Sequence, residues 1–413
     1  MPNSADVAAW SGAAPPKGKK TTAPAAPEPA VIRYTADEAR KKMAGFVKSE
    51  SGKKSKMHLS LASTLVDEPR ITTGLSGLDY VFGGGVPLGH SIEISGWEGS
   101  GKTTLALTII AQAQSEGLLC GFIDVEQTFD AGYASMLGID RDSLLVARPD
   151  TGEEALETLL WMLDNGFTIV ALDSIAAMLP RAENEGDMGD AHMSLQARLM
   201  GQAFRKAVPR CRTYNSTILW LNQLRVGPAK YKGDSGEYTP GGNGARFYCS
   251  IRIRTQSSKK TQEGSGDERV GVGKEINVTA FKNKTAPEDR RWRFYVRYGM
   301  GFDVIHDLVK AAKRFDAMEM KGSWFWLDGE RLCNGEAALL ELVSEDPVLR
   351  KKVQALVAAK VRELTFREQT NQVEAGAAND DSEGVDPIRD EEGPAGLPLV
   401  AAGPVLSGIG TAA

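Results

Sequence analysis

Gly96-Trp97-Glu98-Gly99-Ser100-Gly101-Lys102-Thr103 is a complete G-x-x-x-x-G-K-[ST] loop, and its flanks decide how it is read. Before it, Ser91-Ile92-Glu93-Ile94-Ser95 alternates polar and apolar residues as a strand does. After it, Thr104 to Gln114 carries Leu105, Ile109 and Gln112 at helical spacing, with no helix breaker. Strand, glycine loop and helix in that order form an anion cradle. The glycines let the backbone curl so that successive N–H groups point at phosphate oxygens. The helix N-terminus adds its dipole. Lys102 can then reach the β and γ phosphates, and the Thr103 hydroxyl can ligand Mg²⁺. A glycine turn that holds Lys-Thr by chance would lack both flanks.

Three further apolar runs end in polar groups. Thr168-Ile169-Val170-Ala171-Leu172-Asp173-Ser174 places Asp173 at a strand end, where it can hold the Mg²⁺ hydration shell beside Thr103. Gly121-Phe122-Ile123-Asp124-Val125-Glu126 places Glu126 where open α/β sheets bind ligands, able to orient a water for attack on the γ-phosphate. Asp124 alternates to the other face. Leu219-Trp220-Leu221-Asn222-Gln223-Leu224-Arg225 ends in an uncharged amide, and Gln223 can hydrogen-bond a γ-phosphate without adding negative charge. The loop that follows, Val226 to Ala245, is rich in Gly, Lys and Tyr and includes Gly241-Gly242-Asn243-Gly244. A loop of that length starting at Gln223 reads as a nucleotide-sensitive binding loop.

Strand and helix patterns alternate from about Ile71 to Phe302, the mark of an α/β fold with a mostly parallel central sheet. The extended runs at Phe247–Arg254, Glu275–Phe281 and Arg291–Val296 lie close together and favour hairpin additions at a sheet edge. The expected organisation is a low-complexity, disordered head at 1–35, a helix and linker at 36–70 and the α/β core at 71–302. A small α+β domain follows at 303–368, closed by an amphipathic helix with Val353, Leu356, Val357, Val361 and Leu364, then an acidic disordered tail at 369–413. Residues 1–60 hold eleven Lys and Arg against five Asp and Glu, whereas 373–413 hold eight acidic residues against one Arg, a layout that suits a polyanion partner and a segment competing with it. The four cysteines form no C-x-x-C pair, with Cys120 and Cys249 in strand-like runs, and the four histidines are isolated. A reducing, cytoplasmic setting is expected, without a metal-ligand cluster, a membrane span or a signal peptide.

The ordered motifs resemble those of the bacterial RecA recombinase family over roughly residues 36–367. They are Gly96–Thr104, Phe122–Glu126, Arg148–Glu153, Asp173–Ala177, Gly189–Met193, Asn222–Arg225, Gly241–Asn243 and Lys282–Lys284. The resemblance implies a RecA-like P-loop ATPase core, with ATP and Mg²⁺ held between subunits of a helical filament on single-stranded DNA. It implies pairing with homologous double-stranded DNA in recombinational repair, alongside single-strand-binding and loader proteins. By position, Gly96, Trp97, Glu98, Gly99, Ser100, Gly101, Lys102, Thr103 and Thr104 match the phosphate cradle. Asp130 and Tyr133 match the adenine pocket, Asp173 the Mg²⁺ site, Glu126 the catalytic carboxylate and Gln223 the γ-phosphate sensor. Lys282 and Lys284 match the pair that reaches a neighbour's ATP, the helix at 36–48 the segment that docks on the adjacent protomer, and Phe247 an interface residue. Primary DNA contacts match Met193 in a first loop at about Glu183–Ser194, Arg198 and Arg205 on the helix after it, and Arg225, Gly241, Gly242 and Asn243 in a second.

Departures from the family pattern cluster at the weaker, secondary DNA site, where this chain has Gln256, Ser257, Asn277 and Thr279, with Lys259 and Lys260 nearby. Together with the unusual head and tail they fit a divergent member of the kind phages encode. Two rival readings stand beside the recombinase: a related ATPase such as a ring helicase or a motor without strand exchange, and, kept open by the weakened secondary site, a filament-forming regulatory ATPase that binds DNA with weak or no strand exchange. Lys282-Asn283-Lys284 and the Met193 loop favour the recombinase.

Overall fold

The computed structural model describes residues 41, 68–186, 195–227, 236–263 and 270–380. The chain divides into two units, Met1–Asp67 and Glu68–Ala413. Of the first, only Lys41 is described, in helical conformation. The head, most of the expected 36–48 helix and residues 381–413 lie outside the described residues.

The second unit begins with β1 (Arg70–Ile71), α1 (Ser76–Phe82), β2 (Val86–Pro87), β3 (Ser91–Gly96) and α2 (Lys102–Ser115). Next come β4 (Cys120–Asp124), α3 (Ala131–Met136), β5 (Leu144–Ala147), α4 (Gly152–Asp164) and β6 (Ile169–Asp173). After a 3₁₀ turn at Ile175–Ala177 follow α5 (Arg181–Asn184), α6 (Leu195–Tyr214), β7 (Thr217–Gln223), β8 (Arg225–Val226), β9 (Glu237–Tyr238) and α7 (Gly244–Tyr248). The long strands β10 (Ile251–Glu263) and β11 (Val270–Asn283) lead to β12 (Arg291–Arg297), β13 (Gly301–Phe302) and α8 (Val304–Arg314). The chain then runs through β14 (Glu319–Lys321), β15 (Trp324–Leu327), β16 (Glu330–Asn334), α9 (Glu336–Glu345) and α10 (Pro347–Asp380).

Among the described residues the main sheet has nine strands in the order β13-β12-β11-β10-β3-β7-β6-β4-β5. The six from β10 to β5 run parallel, and β11, β12 and β13 are added antiparallel at one edge, so the expected mostly parallel sheet is present. Successive residues of a strand point to opposite faces, and both faces here are packed, so β6 and β7 are apolar on both sides over most of their length. Ile169 and Ala171 of β6 and Leu219 and Leu221 of β7 enter the cluster on one face, beneath α2. Val170, Leu172, Ile218 and Trp220 enter the other, beneath α4 and α6. Both faces are covered, so every residue of β6 is buried.

Two expectations need correction. The run Phe247–Arg254 is not one strand: Gly244–Tyr248 is the helix α7, and β10 starts at Ile251. The β-forming side chains of Phe247 and Tyr248 stay exposed there, while Ala245 is buried on the second cluster; packing outweighs propensity. Cys249 accordingly follows a helix instead of sitting in a strand, although it is buried as expected. The closing helix also runs to Asp380, past the expected boundary at 368.

The apolar cluster is continuous across residues 302 and 303: Val353, Val357 and Val361 of α10 share it with Leu75 and Leu78. A polar knot sits at this join. Buried Arg290 donates to the Tyr80 carbonyl, to Thr365 and to Glu368. Asp307 accepts from the Gly77 amide at 3.0 Å and from Trp292 Nε1 at 2.7 Å. A Cβ at Gly77 would lie 2.1 Å from that same Trp292 nitrogen, so only glycine admits the contact. Burial pushes the Asp307 carboxyl up to about 7, from 3.8, against the pull of its two donors.

The native state therefore binds a proton at Asp307 that the unfolded chain has released. Its contribution is complete below about pH 4 and is lost as pH rises through about 7, with a slope of at most about 1.4 kcal/mol per pH unit. Urea midpoints measured from pH 5 to 8 should fall more steeply for the wild type than for Asp307→Asn. Parallel profiles would remove Asp307 from the account.

Candidate nucleotide and DNA site

Four neighbouring parallel strands, β3, β7, β6 and β4, deliver the candidate residues to one edge of the sheet. Gly96 lies beside Gln223, and Asp124 beside Asp173. Glu126 follows two residues after β4, its amide donating to the Asp173 carbonyl at 3.2 Å. This crevice at the carboxyl ends is where such sheets bind ligands.

Gly99 and Gly101 of the glycine loop take positive φ, 66° and 86°, a region that side chains resist. At Gly96 a Cβ would lie 2.3 Å from Ser100 Oγ. Lys102 opens α2 and is buried, and its ammonium donates to the Gly96 carbonyl at 3.2 Å and the Trp97 carbonyl at 3.0 Å. Burial lowers its pKa, opposed by Asp173, Glu126 and Glu98. Thr103 Oγ1 donates to Asp173 Oδ2 at 2.5 Å. Burial pushes Asp173 up to about 6; the Thr103 bond and Lys102 pull it down, whereas Glu126 and Asp124 add to the rise.

Glu126 and Gln223 meet directly: Gln223 Nε2 donates to Glu126 Oε1 at 2.9 Å. The same oxygen accepts from Ser174 Oγ at 2.5 Å. Ser174 was not singled out in the sequence, because one hydroxyl after a strand carries no pattern. Asp124 serves the turn instead, accepting from the Thr128 and Phe129 amides at 3.0 Å, with Arg148 3.4 Å away. Asp130 caps α3 through the Gly132 and Tyr133 amides, and Tyr133 OH lies 3.0 Å from Thr104 Oγ1. Two more residues border this side. Tyr298 is half-exposed with the Lys274 ammonium 6.0 Å from its ring centre, and that ammonium donates to the Gly99 carbonyl. Only the strand pairing brings them here, so no local sequence signal marks them.

The candidate DNA loop leaves this edge at once. Leu224 N donates to the Gly96 carbonyl at 3.1 Å, and Arg225 and Val226 pair with Tyr238 and Glu237 as a short ribbon. Gly241 and Gly242 have φ of 87° and 72°; side chains there would press on Ile175 and Ala197. Arg198, Arg205, Arg225, Gly242 and Asn243 are exposed, and Gly241 is buried. Arg225, Gly241, Gly242 and Asn243 line a cavity of about 900 Å³ with Arg252 and Arg254. Arg198 and Arg205 stand on α6, as the spacing predicts. Met193 lies outside the described residues, as do 187–194 and 228–235.

Lys282 and Lys284 are not in this crevice. Lys282 pairs with Arg252, and Asn283 with Ile251, which lies beside Ile92. That level is four residues below Gly96, about 13 Å down the sheet at the usual strand rise. Lys282 donates to the Arg246 carbonyl at 2.6 Å, near exposed Phe247.

A model of the RecA N-terminal domain matches residues 40–303. The chain belongs to the RecA family. It is 41% identical to Protein RecA of Pseudomonas syringae pv. syringae over 320 residues, 76% of this chain and 88% of that one. It is 40% identical to Protein RecA of Sulfurovum sp. over 289 residues, 70% and 82% of the two chains, and 38% identical to that of Mannheimia haemolytica over 347 residues, 84% and 90%. A RecA recombinase function in DNA repair and recombination comes with this membership. No helix among the described residues is long and apolar enough to cross a membrane.

If Glu126 is the base of this RecA-type site, Glu126→Gln should still bind ATP but lower the hydrolysis rate about 10²–10⁴-fold. A normal turnover number in a DNA-stimulated ATPase assay would exclude it.

Proposed function

We propose that this RecA-family chain is a DNA-dependent ATPase that forms helical filaments on single-stranded DNA and pairs it with homologous duplex, in the cytoplasm. The observation that carries this reading is the Gln223–Glu126 contact at the root of the β8–β9 ribbon, which joins a hydrolytic carboxylate to a candidate DNA loop.

Lys102 and the loop amides bind the phosphates, Thr104 and Tyr133 border the base side, and Glu126 takes the proton of the attacking water. Thr103 and Asp173 fit Mg²⁺: a hydroxyl and a carboxylate already share a hydrogen bond, and both are the hard oxygen donors that ion prefers. When bound, Mg²⁺ neutralises charge on the phosphate oxygens. Gln223 is held by Glu126 and is free to exchange that partner for a phosphate oxygen. That exchange moves the residue from which the DNA loop starts.

The position of Lys282 and Lys284 supports action in trans. They are too far down the sheet to serve the same subunit's phosphates, and a head-to-tail assembly carries one subunit's lower edge to the next subunit's crevice. The regulatory-ATPase reading draws on uncharged Gln256, Ser257, Asn277 and Thr279; Gln256 faces Asn277 and Arg254 faces Thr279 across β10 and β11. D-loop formation with a homologous supercoiled duplex separates the two, and ATP turnover without D-loops would favour regulation.

Subunit sharing has its own test. Mix Glu126→Gln with the double variant Lys282→Ala/Lys284→Ala, each inactive alone. In a randomly mixed head-to-tail filament about a quarter of the sites are whole, so ATPase activity should return to about a quarter of wild type. Mixtures as inactive as their parents would place the lysines in cis or outside catalysis.

A further inference from the structure

Trp97, the second residue of the phosphate loop, reaches out of it. Its indole N–H donates to Glu237 Oε1 at 3.1 Å. Glu237 stands on β9, in the ribbon at the root of the candidate DNA loop. Its other oxygen accepts from Arg254 Nη1 at 2.9 Å, on the strand that borders β3. At the other end of the same residue, the Trp97 carbonyl accepts from Lys102 Nζ. One residue thus lies between the ammonium that would hold phosphate and the carboxylate that anchors the DNA ribbon.

We propose that Trp97 and Glu237 are positioning residues that couple nucleotide binding to the DNA loop, as a second connection besides Gln223. This inference rests on the ATP and DNA reading above. A phosphate anion competes with the Gly96 and Trp97 carbonyls for Lys102. When Lys102 turns to the phosphate, the Trp97 carbonyl loses its donor and its peptide can reorient. The indole moves with that peptide, and so does its hold on Glu237. Arg254, fixed on the sheet, keeps the carboxylate in reach, so the ribbon shifts against a fixed post instead of drifting free. Linkage makes the effect reciprocal: DNA that fixes the ribbon sets Trp97, and with it the cost of turning Lys102. The chemistry needs an N–H on residue 97 and a carboxylate on residue 237; aromatic bulk alone does not supply it.

The test is the ratio of affinities for a fluorescent oligothymidylate with and without a slowly hydrolysed ATP analogue, read by anisotropy at fixed salt. The wild-type ratio should fall about 3–10-fold in Trp97→Phe and in Glu237→Ala, within the usual range of couplings between sites. The double variant should match the single ones, because both break one contact. Thermal unfolding near the wild-type midpoint confirms that each variant is folded, and using each variant's own nucleotide-free affinity as its reference removes plain losses of DNA binding. Unchanged ratios in both single variants, or two effects that add in the double variant, overturn the proposal. Lys102→Ala should show no nucleotide dependence. A wild type that shows none either would overturn the ATP and DNA reading itself, whereas a dependent wild type with equally dependent variants overturns only the Trp97–Glu237 coupling.

Discussion

The parallel register that sets Gly96 beside Gln223 is the constraint on which the rest of the site depends. In a parallel sheet every strand releases its following loop at the same edge. Adjacent strands therefore release adjacent loops, here the glycine loop from β3 and the candidate DNA loop from β7. The bond from Leu224 N to the Gly96 carbonyl fastens the two at their roots. A slip of one residue in β7 would turn Gln223 to the other face and exchange its apolar sets between the two cores. Ile218 and Trp220 on one side, with Leu219 and Leu221 on the other, hold that register by burial, each large side chain being worth about 1.5–3 kcal/mol. The core on both faces thus fixes the geometry of the chemistry at the edge.

Within the crevice the charges oppose their own ionisation. Burial raises Asp173 and lowers Lys102, so each group leans toward its neutral form. Lys102 falls back on backbone carbonyls, and Asp173 takes the Thr103 hydroxyl. A bound phosphate would favour the charged lysine, and a divalent cation the charged carboxylate, so each pKa would move back toward its usual value. The two ligands therefore reinforce each other. Beside these groups, Ser174 and Gln223 both donate to one oxygen of Glu126.

Much of this was legible in the sequence because it is local. A strand, a glycine loop and a helix in succession give Gly96 to Thr104, and apolar strands ending in polar residues give Glu126, Asp173 and Gln223. What escaped depends on pairing between distant segments. Ser174 matters because β4 and β6 lie side by side, Glu237 because a ribbon of two short strands folds over Trp97, and Lys274 because β11 brings it to Gly99. None has a spacing signature. The helix at Gly244–Tyr248 was hidden for a related reason: Phe247 and Tyr248 read as strand, and only the burial of Ala245 against the second core shows why the backbone coils. Asp124 and Asp130 teach the converse. Both are carboxylates near the site that also hold the local backbone, Asp130 as a helix cap and Asp124 in a turn, each accepting from two amides.

The same topology that gathers Lys102, Asp173, Glu126 and Gln223 also keeps Lys282 and Lys284 away. β11 runs antiparallel to β10, so its end lies at the edge where β3 begins. Lys282 lies level with Glu93, three residues or about 10 Å below Gly96, and Lys284 lies further down, with the width of two strands to cross besides. A chain that uses these lysines on a nucleotide must use them on another copy's nucleotide. The contact is then heterologous, with one edge of the sheet meeting the opposite edge of the next, and repetition gives a ring or an open helix according to whether the rotation closes. An extended DNA strand has no fixed length, and only the open helix can follow it indefinitely. On the proposed reading, antiparallel addition at the sheet edge is the feature of the fold that would turn a nucleotide pocket into half of a shared one.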